Sequence, residues 1–202
     1  PSSGEKGPLI PLGEVLTEVH SSQVIESIST IYEMADGGLF DTAMEEAYYS
    51  LQAAPTYLPM HALMGEMLVK KKDYERAAAK YQVVARAYAS RNEKIQAVQY
   101  SRKVIEMAPT DLAARSKLIE LLLTSGQIED AIEEYSQLAE AHYNQADRLK
   151  ARQTYLEAIK AAQQANADRA IKVKLLHRVA DIDKQSMEWR QALRILEQIR
   201  TL

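Results

Sequence analysis

His177 and Asp181 stand four residues apart in the stretch HRVAD, a spacing that puts both on one helical face and could offer a metal ion two ligands. A zinc-type site needs a third and a fourth, and none is predictable nearby. His20, His61 and His142 fall in other parts of the chain, and no HExxH occurs. The pair therefore reads as solvated or hydrogen-bonded, and no metal is expected. Glu45-Glu46 and Glu133-Glu134 bring carboxylates together in sequence, but successive residues on a helix diverge, so they read as exposed faces rather than as acid and base. Serine and threonine are plentiful, yet no GxSxG elbow or GxxxxGK[ST] loop is present to activate a hydroxyl or cradle a phosphate. The residues predict no catalytic centre, no enzyme activity and no cofactor.

Composition narrows the field further. A chain of 202 residues with 47% hydrophobic and 26% charged side chains can bury a sizeable core. A formal net charge of -3 does not supply the basic field that phosphate binding requires, so nucleic acid is not an expected partner. Cysteine is absent, which excludes disulfides and thiolate chemistry and fits a cytoplasmic location. No stretch approaches the ~20 apolar residues that cross a bilayer, and no membrane partner is expected. The chain begins at Pro1 rather than Met, which suggests a piece of a longer protein.

The elements that would position any site are helical. PSSGEKGPLIPLG is too rich in proline and glycine to propagate a helix, so residues 1–20 are expected to be a linker or extended segment and 21–202 the folded domain. From there apolar residues recur at i, i+3, i+4 and i+7, and no run alternates as a half-buried strand would. Breaks at Gly37-Gly38, Pro55, Lys72-Asp73, Arg91-Asn92, Pro109, Ser125-Gly126, Asn144, Asn166 and Ser186 divide the pattern. Ten helices are predicted, at 22–35, 40–54, 58–71, 74–89, 93–107, 111–124, 128–143, 147–163, 168–184 and 188–201.

A repeat runs through them. AMEEAYYS, AAAKYQVV, AVQYSRKV, AIEEYSQL, ARQTYLEA and ALRILEQI each place a small residue a few positions before a large one. PMHALMGEMLVKKKDYERAAAKY adds a first helix with Met64, Gly65 and Leu68, and Pro55 and Pro109 close AMEEAYYSLQAAP and AVQYSRKVIEMAP. Over residues 24–202 the pattern resembles the tetratricopeptide repeat family, hairpins of ~34 residues. The family's tryptophan is missing, Ala47 and Ser101 stand where an aromatic is usual, and the later repeats lack the closing proline. The resemblance implies an all-α fold, an α-solenoid of about five antiparallel helical hairpins in a right-handed superhelix. Gly65, Ala77, Ala97, Ala131, Ala151 and Ala192 would be the small residues at helix crossings, with Gly65 facing Ala77, and Tyr81, Tyr135 and Tyr155 would fill the space between hairpins.

One stretch fits two repeats. In ERAAAKYQVVARAYAS, Tyr81, Val84, Ala85 and Tyr88 match both the end of one hairpin and the start of the next. Short turns force neighbouring helices to alternate in direction, which favours hairpins beginning near 24, 58, 95, 132 and 173 even though Arg102 then lands where a small residue is usual. On that reading 75–90 packs both backward on 58–71 and forward on 93–107, and those four residues are interior.

The resemblance implies that first helices line a concave surface on which peptides or partner helices bind. Carried over position by position, the groove residues are Ile28 and Tyr32, Ala62 and Glu66, then Gln99, Lys103 and Glu106, then Ser136, Glu140 and Tyr143, and last His177, Asp181 and Lys184. Tyr32 and Tyr143 are the expected anchors. The basic clamp that some members use for a terminal carboxylate is not matched, because Ile28 and Tyr32 occupy its places. The leading expectation is a non-catalytic protein-interaction scaffold that binds a protein or peptide in this groove. The alternative is an assembly or regulatory module of a larger protein, and Trp189, Leu193, Leu196 and Ile199 on the last helix suggest homo-oligomer formation through that end. VKKKDYE reads as a solvated turn with helix-terminal cations, or as a contact for an acidic partner.

Overall fold

The computed structural model describes residues 22–201, so the expected linker at 1–20, and His20 with it, lies outside the described residues. Within them the chain forms ten helices and no strand: α1 Ser22–Asp36, α2 Phe40–Ala53, α3 Leu58–Lys70, α4 Tyr74–Ser90, α5 Lys94–Met107, α6 Leu112–Thr124, α7 Ile128–Asn144, α8 Arg148–Gln164, α9 Arg169–Gln185 and α10 Trp189–Thr201. None is long and apolar enough to cross a membrane. The chain divides into two compact units, Pro1–Ala108 and Pro109–Leu202. In each, consecutive helices pack along their lengths after short turns, which makes them antiparallel hairpins; the pairing of α2 with α3 is the slightest.

The turns repeat one device. Gly38, Lys72, Asn92, Gly126, Ala146, Asn166 and Met187 all have positive φ. The amide after each donates back to a carbonyl in the last helical turn, as Asp73 does to Leu68 at 2.9 Å and Asp147 to His142 at 3.0 Å. The left-handed residue satisfies carbonyls that the helix end leaves open, and non-glycine residues accept the conformation at some cost. Asp73, Asp111, Asp147 and Asp168 cap the helices that follow by accepting from backbone amides. At Pro55 and Pro109 the break is different, since proline cannot continue the helix.

These turns reveal a period longer than a hairpin. The left-handed turn moves from residue 38 to 92 to 146, two steps of 54, and the same step carries Lys72 to Gly126 and Pro55 to Pro109. Helix lengths follow: α3 and α6 have 13 residues, α4 and α7 have 17. The unit that recurs is three helices, with α4 and α7 each packed against the helix before and the helix after. Tyr81, Val84, Ala85 and Tyr88 are accordingly all buried, as the double fit of that stretch predicts.

The cores are built of large aliphatics against alanine. In unit 1, Ile31, Leu63, Met64, Met67 and Val84 are almost fully enclosed. In unit 2, Ala139, Ala151, Ala158 and Ala162 surround Tyr155, Leu176 and Val179. Ala77, Ala97, Ala131, Ala151 and Ala192 are all buried. A Cβ placed at Gly65 would stand 2.6 Å from the Tyr81 ring, so the gap there accommodates that tyrosine.

Candidate functional site

In unit 1, α3 and α5 approach across α4, and the residues at their facing positions answer each other. Lys103 Nζ donates to Glu66 Oε1 at 3.0 Å, with both side chains largely enclosed. The same ammonium lies 5.2 Å from the Tyr81 ring centroid and 5.4 Å from that of Tyr100. Tyr100 stacks on Tyr88 with centroids 5.7 Å apart. Burial, then Glu66, Tyr100 and Glu106, raise the Tyr81 phenol far above its ordinary range. Glu66 and Lys103 of the expected groove are thus tied to each other and to Tyr81. Ile28 and Ala62 belong to the core, because Ile28 shares an inward stripe with Ile31 and Ala35, and Ala62 sits inside the packed face of α3. Tyr32 is half-buried, while Gln99 and Glu106 are exposed.

In unit 2 the hairpin register carried over from sequence puts Glu140 on α7 and Asp181 on α9 at the places of Glu66 and Lys103, and two carboxylates do not pair, whereas the step of 54 puts Glu120 and Glu157 there. The helices are bridged instead by Arg178, whose Nη2 lies 3.6 Å from Glu140 Oε1, and by the Tyr143 hydroxyl, which donates to Gln185 Oε1. Lys184 turns back to Asp181 at 2.7 Å. A cleft of about 340 Å³ remains, lined by these residues with Tyr155 of α8 and Ile182. Burial pushes the Tyr155 phenol above its ordinary value, with Arg178 pulling it down and Glu140 pushing it up, so a neutral hydroxyl faces the cleft.

The structure thus brings together four of the groove residues expected from sequence, Glu140, Tyr143, Asp181 and Lys184. Ser136 and His177 do not join them. The Ser136 hydroxyl donates to Ile132 O at 2.9 Å, and His177 is exposed outside the lining. Arg178, Ile182, Gln185 and Tyr155 were missed. The first three form, with Asp181, a stripe at i, i+3, i+4 and i+7, a signal held by helical periodicity, while the carried-over register of 177, 181 and 184 finds Asp181 and Lys184 and puts His177 where Arg178 stands. Tyr155 is both core and cleft floor, whereas Tyr135 is half-buried against the unit 2 core.

Two further ion pairs join helices within unit 2. Arg152 Nε donates to Asp183 Oδ1 at 2.6 Å and Nη2 to Oδ2 at 3.2 Å, tying α8 to an almost wholly buried carboxylate on α9. Arg115 donates to Glu134 and, at 2.7 Å, to Gln137, joining α6 to α7. Elsewhere, Lys71 of the basic turn pairs with Asp41, and His61 Nε2 lies 2.9 Å from the carbonyl of Pro55. No group of three or more potential metal ligands converges among the described residues.

Comparison with known proteins gives the following. The tetratricopeptide repeat model matches residues 95–153, which run from α5 into α8. No curated protein matches. Among solved structures, BtubC (BKLC) from P. vanneervenii is 12% identical, over 94% of this chain and 85% of its own, at a TM-score of 0.45. MamA is 16% identical over 82% of this chain and 94% of its own, at 0.40. YrrB, a TPR protein with an unusual peptide-binding site, is 14% identical over 94% of this chain and 100% of its own, at 0.36. Likeness at this level passes no ligand or activity to the present chain.

Proposed function

We propose that this chain, a divergent tetratricopeptide repeat protein whose residues 95–153 match the family model, works as a non-catalytic protein-interaction scaffold. Its ligand is a peptide or partner helix, received in unit 2 between α7 and α9. The observation that carries this is the cleft of about 340 Å³ where Glu140, Tyr143, Asp181 and Lys184 meet over Tyr155. Tyr143 and Tyr155 supply rigid amphipathic area and the rim charges set register. A cytoplasmic setting, favoured by the absence of cysteine, belongs to the same reading. The test is selection of a displayed random peptide library on the purified protein, followed by titration of the enriched peptides. Tyr143→Ala should weaken them by about tenfold or more, as loss of an aromatic anchor does. Equal affinity for the parent and for both Tyr143→Ala and Asp181→Lys would remove the cleft from the reading.

A second reading has its own observation. Trp189, Leu193 and Leu196 project from α10 into solvent, which favours an assembly role for that helix, toward a second copy of the chain or toward another protein.

A further inference from the structure

The step of 54 residues carries Glu66, Tyr81 and Lys103 of unit 1 onto Glu120, Tyr135 and Glu157 of unit 2. The elements correspond as well, since α6 and α8 both pack on α7 as α3 and α5 pack on α4. In unit 1 the three positions hold an ammonium, 3.0 Å from a carboxylate oxygen and 5.2 Å from a tyrosine ring centroid. In unit 2 the carboxylate and the ring recur, but a second carboxylate stands in the lysine's place.

This second arrangement is open. Glu120 and Glu157 are exposed, and Tyr135 is half-buried where Tyr81 is 2% exposed. At the position of Gly65, whose missing Cβ makes room for Tyr81, unit 2 has the buried Ile119, and Tyr135 lies correspondingly nearer the surface. Both carboxylates act on the phenol between them: burial, then Glu157, then Glu120, raise Tyr135 above its ordinary value, as burial and Glu66 raise Tyr81. No cation answers the two. Glu120 has no ion pair or hydrogen bond among the described residues, and Glu157 accepts only from Gln153 Nε2, at 3.3 Å. Lys117 and Lys160, one turn away on the same helices, pair with neither. No group of three potential metal ligands forms among the described residues, so the pair lacks the ligand set of a zinc or calcium site. What fits is the group that unit 1 supplies from its own chain, an ammonium charge-paired to carboxylate and laid on a tyrosine face.

We infer that Glu120, Glu157 and Tyr135 form a receptor for a lysine side chain of a partner protein, its ammonium seated between the two carboxylates and over the ring, where unit 1 seats Lys103. The receptor shares no residue with the α7–α9 cleft and does not depend on a peptide binding there. The tyrosine ring signals of the full chain, followed by NMR and assigned to Tyr135 through Tyr135→Phe, report on it. The probe is a tetralysine peptide blocked at both ends, titrated beside the same peptide acetylated on every ε-amine. The free-amine peptide should move the Tyr135 signals saturably, and the acetylated one should leave them in place. Glu120→Gln with Glu157→Gln should weaken binding by about tenfold, whereas Glu129→Gln with Glu133→Gln, an equal loss of charge at exposed positions on α7, should leave it within about twofold. Glu157→Lys, which places a lysine of the chain itself in the seat, should abolish the response. Tyr135 signals that stay still with the free-amine peptide, equal weakening by the two pairs of substitutions, or a response that survives Glu157→Lys would each overturn the inference. A calcium titration that moves the same signals at lower concentration than the peptide would overturn it too, in favour of a metal site.

Discussion

Lys103 donates to Glu66 at 3.0 Å across 37 residues of sequence, from one helix to the next but one. The pair sits over the Tyr81 ring, whereas in unit 2 Glu140 and Asp181 line a cleft and pair with Arg178 and Lys184.

Reversing one member tests the clamp. Lys103→Glu faces Glu66 with a second partly enclosed carboxylate and should cost about 2–4 kcal/mol in denaturant unfolding. Adding Glu66→Lys should return more than half of that loss. A double variant no better than the single one would mean that the pair contributes through packing alone.

Gly65 tests the ring beneath. A methyl group there meets Tyr81 at 2.6 Å, and Tyr81 is itself packed against Tyr100 and Lys103. Gly65→Ala should lower stability by about 1–3 kcal/mol despite alanine's better helix propensity. In a Tyr81→Leu background the same change should cost markedly less. The comparison is read from thermal midpoints of the four proteins.

In unit 2 the sensitive residue is Arg152. Its removal leaves the enclosed Asp183 carboxylate without its guanidinium, so Arg152→Ala should cost about 3–5 kcal/mol. Asp183→Asn with Arg152→Ala should recover part of it, since no buried charge is then stranded. Chemical denaturation followed by circular dichroism separates the two cases.

Tyr81 predicts an alkaline limit. Its folded phenol is raised above the ordinary 10.0, first by burial and then by Glu66. The folded state therefore keeps a proton that the unfolded chain releases, and this contribution is whole below pH 10 and shrinks as pH climbs beyond it. Tyr81→Phe, which has no proton to lose, should show a shallower fall in stability above pH 10. Identical slopes for the two proteins between pH 9 and 11 would contradict the assignment.

The helices were legible in the sequence because their signals are local. Apolar period, aspartate caps such as Asp73 and Asp147, and breaks at Gly38, Pro55 and Pro109 act within a turn or two of themselves, and all ten predicted helices lie within two residues of those observed. The double fit of residues 75–90 likewise follows from one helix carrying two apolar faces. The candidate site was half legible. Glu140, Tyr143, Asp181 and Lys184 could be carried over by repeat position, but that register placed His177 instead of Arg178 and gave no sign that Tyr155 would form the floor.

By itself, then, the sequence determined helix content, turn positions and the alanine crossings, because backbone conformation and amphipathic faces are properties of neighbouring residues. Only the tertiary structure decided which charged side chains meet across the helices. Whether Glu66 meets Lys103, or Glu140 meets Arg178, depends on pairs 37 and 38 residues apart whose charges matter only once packing sets them within a few ångströms. Leu193 resembles Ile132 as a residue, yet within the described residues Ile132 is core and Leu193 is surface.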